Sequence, residues 1–232
     1  MSADAGGRSH APRPRHEVRR HPERANYDRV AAYAVLDAAC VGHVAFVLDG
    51  QPFVIPMLYA RDGDRLLLHG GVSSRLLKAL ATGIECCVAV THLDGLVLAR
   101  SQFHHSVNYR SVVVFGHACV IGDMADKATA MVRLVEAIVP GRSADARAAD
   151  AQELNATVVL GLPIADLSLK SRSGDPSDAV EDLALPVWTG VIPLALRAAP
   201  PVPAVDMDRS IPLPAYLDAR RATGDTKAGI GG

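Results

Sequence analysis

The run His69-Gly70-Gly71-Val72-Ser73-Ser74-Arg75 brings together the residue types that an anionic ligand needs. Paired glycines let a backbone approach a ligand closely, and the serines open a helix whose first N–H groups lack partners within it. Arg75 stands in the first turn of that helix and Lys78 one turn later, so amides, hydroxyls and a guanidinium fork converge. Phosphate suits this set. A glycine turn leading into an ordinary capped helix would use the same residues, and at this point both readings stand.

A second concentration of chemistry is Ser101 to Ser111, where polar and aromatic side chains interrupt aliphatic strands. The plain reading is a solvated loop with a dimer contact, but aromatics make up only 4% of the chain and Phe103 and Tyr109 fall here, so a site hypothesis stands beside it. Adjacent His104 and His105 point to opposite faces of an extended chain and cannot easily share one metal, and no third ligand has suitable spacing. Trp188, between Pro186 and Gly190, reads as a core plug or as a cover over a flat apolar surface. His43, His92 and His117 lie on strands and read as satisfied polar groups on a rim. Cys40, Cys86, Cys87 and Cys119 have no zinc spacing and no cationic neighbours, so they read as small core hydrophobes.

Positioning these residues requires a sheet. The span Tyr27 to Ala39 has helical period, with Asn26 or Asp28 as cap. Cys40–Leu48, Pro52–Ala60 and Arg65–His69 read as strands joined by Asp49-Gly50 and Asp62-Gly63 hairpin turns. Ser73 and Ser74 cap a helix over Arg75–Thr82 that ends at Gly83. Asp94-Gly95 reads as a third turn, joining Glu85–His92 to Leu96–Ser101. Tyr109–Ile121 is the next strand, Asp123–Val139 a helix stopped by Pro140-Gly141, and Thr157–Leu162 the last long strand. Two-residue turns are too short for parallel crossovers, so the expected fold is mainly β: a six-stranded antiparallel barrel with flanking helices.

The chain has 232 residues and a formal net charge of −1, which argues against nucleic acid or anionic membrane as partners. Residues 1–25 are rich in Arg and His and read as a disordered basic arm, 26–197 as one domain, and 198–232 as a Pro-rich irregular tail. Neither a secretory signal nor an apolar stretch of spanning length is evident, so the cytoplasm is the expected compartment.

Four segments together resemble the pyridoxamine 5′-phosphate oxidase-like superfamily of FMN-binding split barrels, in particular the flavin-nucleotide-binding branch that includes the nitroimidazole-resistance proteins. They are Asp49 to Pro56, Leu68 to Arg75, Asp94 to Ser101 and His104 to Val112. The resemblance implies a six-stranded split barrel and a homodimer with FMN between subunits. Ile55 and Pro56 would lie along the flavin ring, His69 and Gly70 would offer contacts beside it, and Ser74 and Arg75, with Lys78 nearby, would hold the phosphate. Tyr109, Arg110 and Trp188 would complete the pocket from the partner. His69 matches a histidine implicated in the resistance proteins and is the candidate catalytic proton donor. Leu76 stands where the oxidases have Lys, and their C-terminal Arg-Leu-Ser-Pro-like run is absent, which argues against pyridoxamine phosphate as substrate.

The expected function is that of an FMN-dependent oxidoreductase, passing electrons from a reduced nicotinamide to a nitroaromatic or quinone-like acceptor. The alternatives are a non-catalytic flavin- or haem-binding protein, with His104 and His105 as axial ligands, and a deazaflavin-dependent reductase.

Overall fold

The computed structural model describes residues 15–217. Ala25–Asn26 forms a short strand, β1, and Asp28 then caps helix α1 (Arg29–Asp37) by accepting from the Val30 N–H at 3.0 Å. Strands β2 (Val41–Leu48) and β3 (Gln51–Asp62) are joined at Asp49 and Gly50, with φ of 53° and 75°. Both residues are left-handed, as a tight hairpin turn between twisted strands demands. A turn at Gly63 leads to β4 (Arg65–Gly71), and helix α2 (Arg75–Ala81) follows at once.

The long strand β5 (Glu85–Leu98) and β6 (Ser106–His117) form the central hairpin. Here the structure corrects the expected third turn, because β5 runs straight through Asp94-Gly95. Leu93 opposes Tyr109 and Gly95 opposes Asn108, so Asp94 is the extra residue of a bulge. A short β7 (Cys119–Val120) precedes helices α3 (Met124–Ile138), α4 (Arg142–Asp145) and α5 (Ala151–Asn155). Strands β8 (Thr157–Pro163), β9 (Asp166–Arg172) and β10 (Gly190–Pro193) finish the sheet.

The order is β1-β9-β6-β5-β2-β3-β4-β8-β7, with β10 on the free end of β5. The described pairings are all antiparallel, so the mainly-β architecture expected from the sequence is borne out, with ten strands in place of six. The sheet curls around one apolar interior in which Val44, Val88, Val112, Leu66, Leu160 and Leu162 meet α1 and α2. On the other face of β3, β4 and β8, Ala130 and Leu134 of α3 cover Ala60, Leu67 and Val159. Leu66, Leu67 and Leu68 are therefore all buried, with both faces of β4 covered.

Of the arm expected to be disordered, residues 1–14 lie outside the described residues. Residues 15–25 lie against the sheet edge: Arg15 donates to Asp166 at 2.8 Å and also to Glu85, and His16 bonds to Asp166. Composition suggests disorder because these cations find their acidic partners only through the fold. The expected tail is irregular over 198–214 and ends in a helical turn at 215–217; residues 218–232 lie outside the described residues.

Candidate flavin site

Ser74 caps α2 by accepting from the Leu77 N–H at 3.3 Å, which leaves its hydroxyl proton free to donate elsewhere. Arg75 follows, over the Phe53 ring of β3, with its guanidinium carbon 4.6 Å from the ring centroid. Phe53 is in turn stacked on Phe46 at 5.2 Å. Among the described residues, neither Arg75 nor Lys78 has a carboxylate partner. Helix α2 has seven residues, too few for a strong dipole, so anion binding rests on these side chains. The chain thus holds a positioned, uncompensated guanidinium on an aromatic shelf. Phe53 was not singled out in the sequence; its place in an alternating strand opposite Phe46 is the only signal it carried.

His69 ends the buried part of β4. Its Nδ1 is buried and has no hydrogen-bond partner, and burial pushes the pKa of the imidazole below its ordinary value. It is therefore neutral at pH 7 and suited to accept or relay a proton, not to hold an extra one in reserve. Gly70 serves packing: a Cβ there would stand 2.9 Å from Leu77 Cδ1, so glycine lets α2 settle on β4. Ile55 faces the interior and Pro56 the outside, where it opposes His43.

Tyr109, Arg110 and Trp188 form a second group. Arg110 donates to both oxygens of the bulge residue Asp94, at 2.9 and 2.8 Å. Gly95 is needed beside it, because a Cβ would meet Val191 Cγ1 at 2.9 Å and the Ile192 carbonyl at 3.2 Å. Trp188 folds back over Gly190 and remains 68% exposed. Among the described residues, no hydrogen bond, ion pair or ring contact joins this group to the Arg75 group. Two open clefts, of about 570 and 310 Å³, lie elsewhere, at Arg24 and Arg172 and at Arg100 and Asp178. Sequence reasoning passed over the Arg100–Asp178 pair, in which the carboxylate is nearly inaccessible and accepts from Arg100 Nη1 at 2.7 Å.

The remaining histidines and cysteines match their expected roles in part. His92 and His117 donate to the carbonyls of Val35 and Gly83. His104 Nδ1 lies 2.8 Å from the Ser101 hydroxyl, and His105 Nδ1 lies 2.8 Å from the Ser101 carbonyl. A carbonyl only accepts, so His105 donates from Nδ1. The four cysteines are free, and burial, followed by the neighbouring Cys87, pushes the Cys86 thiol up to about 11, which suits a packed side chain.

These features coincide with relationships to known proteins. The chain is similar to the FAD- and haem-binding protein from Mycobacterium smegmatis, at 38% identity over 85% of this chain and 97% of that one, with a TM-score of 0.82. It is similar to the flavocytochrome Anf3 from Azotobacter vinelandii, at 40% identity over 90% of this chain and 97% of that one, TM-score 0.84. A candidate 5-nitroimidazole antibiotic resistance protein from Bacteroides thetaiotaomicron shares the fold at 20% identity, covering 63% and 85% of the two chains, TM-score 0.54. No curated protein matches the chain. A family model described as pyridoxamine 5′-phosphate oxidase matches residues 28–171, and the chain belongs to that family, whose flavin-binding split barrels share its fold.

Proposed function

We propose that this chain binds a flavin nucleotide through its 5′-phosphate, the part that FMN and FAD share, and works as a redox protein. The observation that carries the reading is Arg75: a cation fixed over Phe53 without a carboxylate, one residue from the free hydroxyl proton of Ser74 and close in sequence to the unsatisfied Nδ1 of His69. A phosphate accepts from both donors, and charge-assisted bonds of this kind are the strong ones. The flavin, when bound, supplies the two-electron chemistry. His69, neutral and half-buried, takes up or passes on a proton beside it. The sequence has no G-x-G-x-x-G loop, so a reduced nicotinamide docks on the flavin surface itself and a small nitroaromatic or quinone-like acceptor follows it.

The open setting of the Arg75 group supports a homodimer, in which a second copy closes the pocket with Tyr109 or Trp188, while Arg110, already paired with Asp94, holds the backbone beside them. Free thiols, and the lack among the described residues of a helix long and apolar enough to cross a membrane, support the cytoplasm as its compartment.

Haem alongside flavin is a second reading, favoured by one specific arrangement. His105 donates from Nδ1 to a backbone carbonyl, the outer bond by which a metal-ligating imidazole is usually oriented. Haem is also named for the mycobacterial relative.

The test is the visible spectrum of purified protein, then equilibrium titration with FMN, FAD and hemin. Flavin bands, or saturable flavin binding at micromolar protein, support the proposal; its absence overturns it. A Soret band lost in His105→Ala supports haem, and a band unchanged by that substitution removes His105 from the reading. The flavin that binds more tightly decides between the mononucleotide expected from the sequence and the FAD named for the relative.

A further inference from the structure

At its β1 edge the sheet stops short. Strand β1 pairs with β9 at two positions, Ala25 with Lys170 and Asn26 with Leu169. Strand β9 runs on through Ser171 and Arg172, which pair with β6 on their other side. β1 does not follow it, because the chain enters β1 from a 3₁₀ turn over Pro22–Arg24, and His21 before that turn is left-handed, with φ of 58°. The divergence leaves the cleft of about 570 Å³ between the turn and the free edge of β9. Glu23, Arg24, Asn26, Ser171, Arg172 and Ser173 line it. Clefts of this size take small organic ligands whole.

The lining is rich in donors. Arg172 donates to Asn108 Oδ1 and to the carbonyls of Gly174 and Asp175, the last two at 3.3 and 3.0 Å. All three acceptors are neutral, so the guanidinium is fixed in place with its charge uncompensated. Asp175 presents its carbonyl to Arg172 and makes no ion pair with it. Arg24 makes no side-chain hydrogen bond among the described residues, and its one carboxylate neighbour is Glu23, 3.9 Å from Nε and itself bonded to His21 at 2.9 Å. With 29% side-chain exposure, Arg24 stands against the wall and does not trail in solvent. Asn26 accepts from the Asp28 N–H with Oδ1 and so offers its amide N–H groups. Lys170, beside the cleft, donates to the Arg20 carbonyl at 2.8 Å, again a neutral acceptor. A cation would meet three positive side chains against one carboxylate. Two guanidinium forks suit phosphate oxygens, and Glu23 accepts from the hydroxyls of an attached sugar.

We infer that this cleft is a second anion site, taking the diphosphate of a nucleotide between Arg24 and Arg172. It shares no residue with the Arg75 group and does not depend on the flavin reading. Isothermal titration of the full chain with ADP tests it, with pyrophosphate as the probe for the phosphate contacts alone. The expected result is saturable ADP binding, weakened at least tenfold in Arg24→Ala and in Arg172→Lys, which keeps the charge and loses the fork. Arg75→Ala should leave ADP affinity unchanged, and Arg24→Ala should keep the wild-type circular dichroism spectrum, since its guanidinium makes no hydrogen bond within the described chain. FAD titrated against the ADP-saturated protein names the source of the nucleotide. Competition that disappears in Arg24→Ala means the ADP half of a dinucleotide, and no competition means a free nucleotide. Absence of saturable ADP binding overturns the second site, as does ADP binding lost in Arg75→Ala and kept in the other two variants; both leave the flavin reading standing. Pyrophosphate bound as tightly as ADP overturns the nucleotide as its ligand.

Discussion

Arg75 and Arg110 show two uses of one side chain in one sheet. Arg110 grips both oxygens of Asp94, and the pair fixes a bulge that in turn seats β10. Arg75 has an aromatic shelf in place of a carboxylate, and its charge is left uncompensated. A guanidinium with a bidentate carboxylate already has its acceptors, whereas one held over a ring is oriented but still has its donors to offer. Within a single chain, then, the corner of β3 and α2 keeps free donors, as the proposed phosphate site requires, and the corner of β5, β6 and β10 uses its donors to hold its own backbone.

Substitutions at the two corners should separate in what they change. Arg75→Ala is expected to weaken flavin binding about 100-fold, or about 2.7 kcal/mol, with less than about 1 kcal/mol lost from stability, since only the ring contact goes. Arg110→Ala should do the reverse. Its pair with Asp94 is partly solvent-screened, with side-chain exposures of 41% and 34%, so the cost in stability is about 1 kcal/mol or less, with flavin affinity unchanged. Isothermal titration and denaturant melts on both variants decide this, and a loss of affinity in Arg110→Ala would move Arg110 into the ligand site. The next largest effect is expected at Gly95. Valine there collides with Val191 and the Ile192 carbonyl, and overpacking of this kind costs about 1–3 kcal/mol. Because Trp188 lies over Gly190 at the start of β10, the emission of this single tryptophan should shift as the strand lifts. An unshifted emission would mean that β10 does not depend on the bulge.

The bulge also shows where the sequence could be read and where it could not. The meander from β2 to β4 and the caps at Asp28, Ser74 and Asp123 obey local rules, so their residues announce them. Asp94-Gly95 follows the same hairpin rule and breaks it. The glycine here answers to a close approach by β10, from a hundred residues further on, and no local pattern reveals that. Strand β9 did carry a signal, the alternation of buried Leu167 and Leu169 with polar neighbours, but its nearness to β8 merged the two. The pairing of Arg15 with Asp166 and Glu85 was hidden for the same reason of sequence distance. At the site, Ser74 and Arg75 were legible as types in a motif. Phe53 was not, because its role depends on which strand the fold sets beside α2.

The smallest expected effect concerns His69 and shows on which side of the comparison it belongs. Burial lowers its folded pKa, so on acidification the unfolded chain takes up a proton at this position before the folded chain does. Stability should therefore be flat above the ordinary histidine range and fall as pH drops from about 6.5 toward the lowered folded value. His69→Asn, which keeps a polar group without the titration, should flatten that part of the profile and leave stability at pH 8 little changed. A bound flavin that satisfies Nδ1 with a donor would oppose protonation further, steepening the acid loss of affinity in the wild type and not in the variant. Parallel pH profiles of stability and flavin affinity in the two proteins test both statements. Identical stability profiles would show that the imidazole is solvated, and that His69 belongs with the rim histidines and not with Arg75.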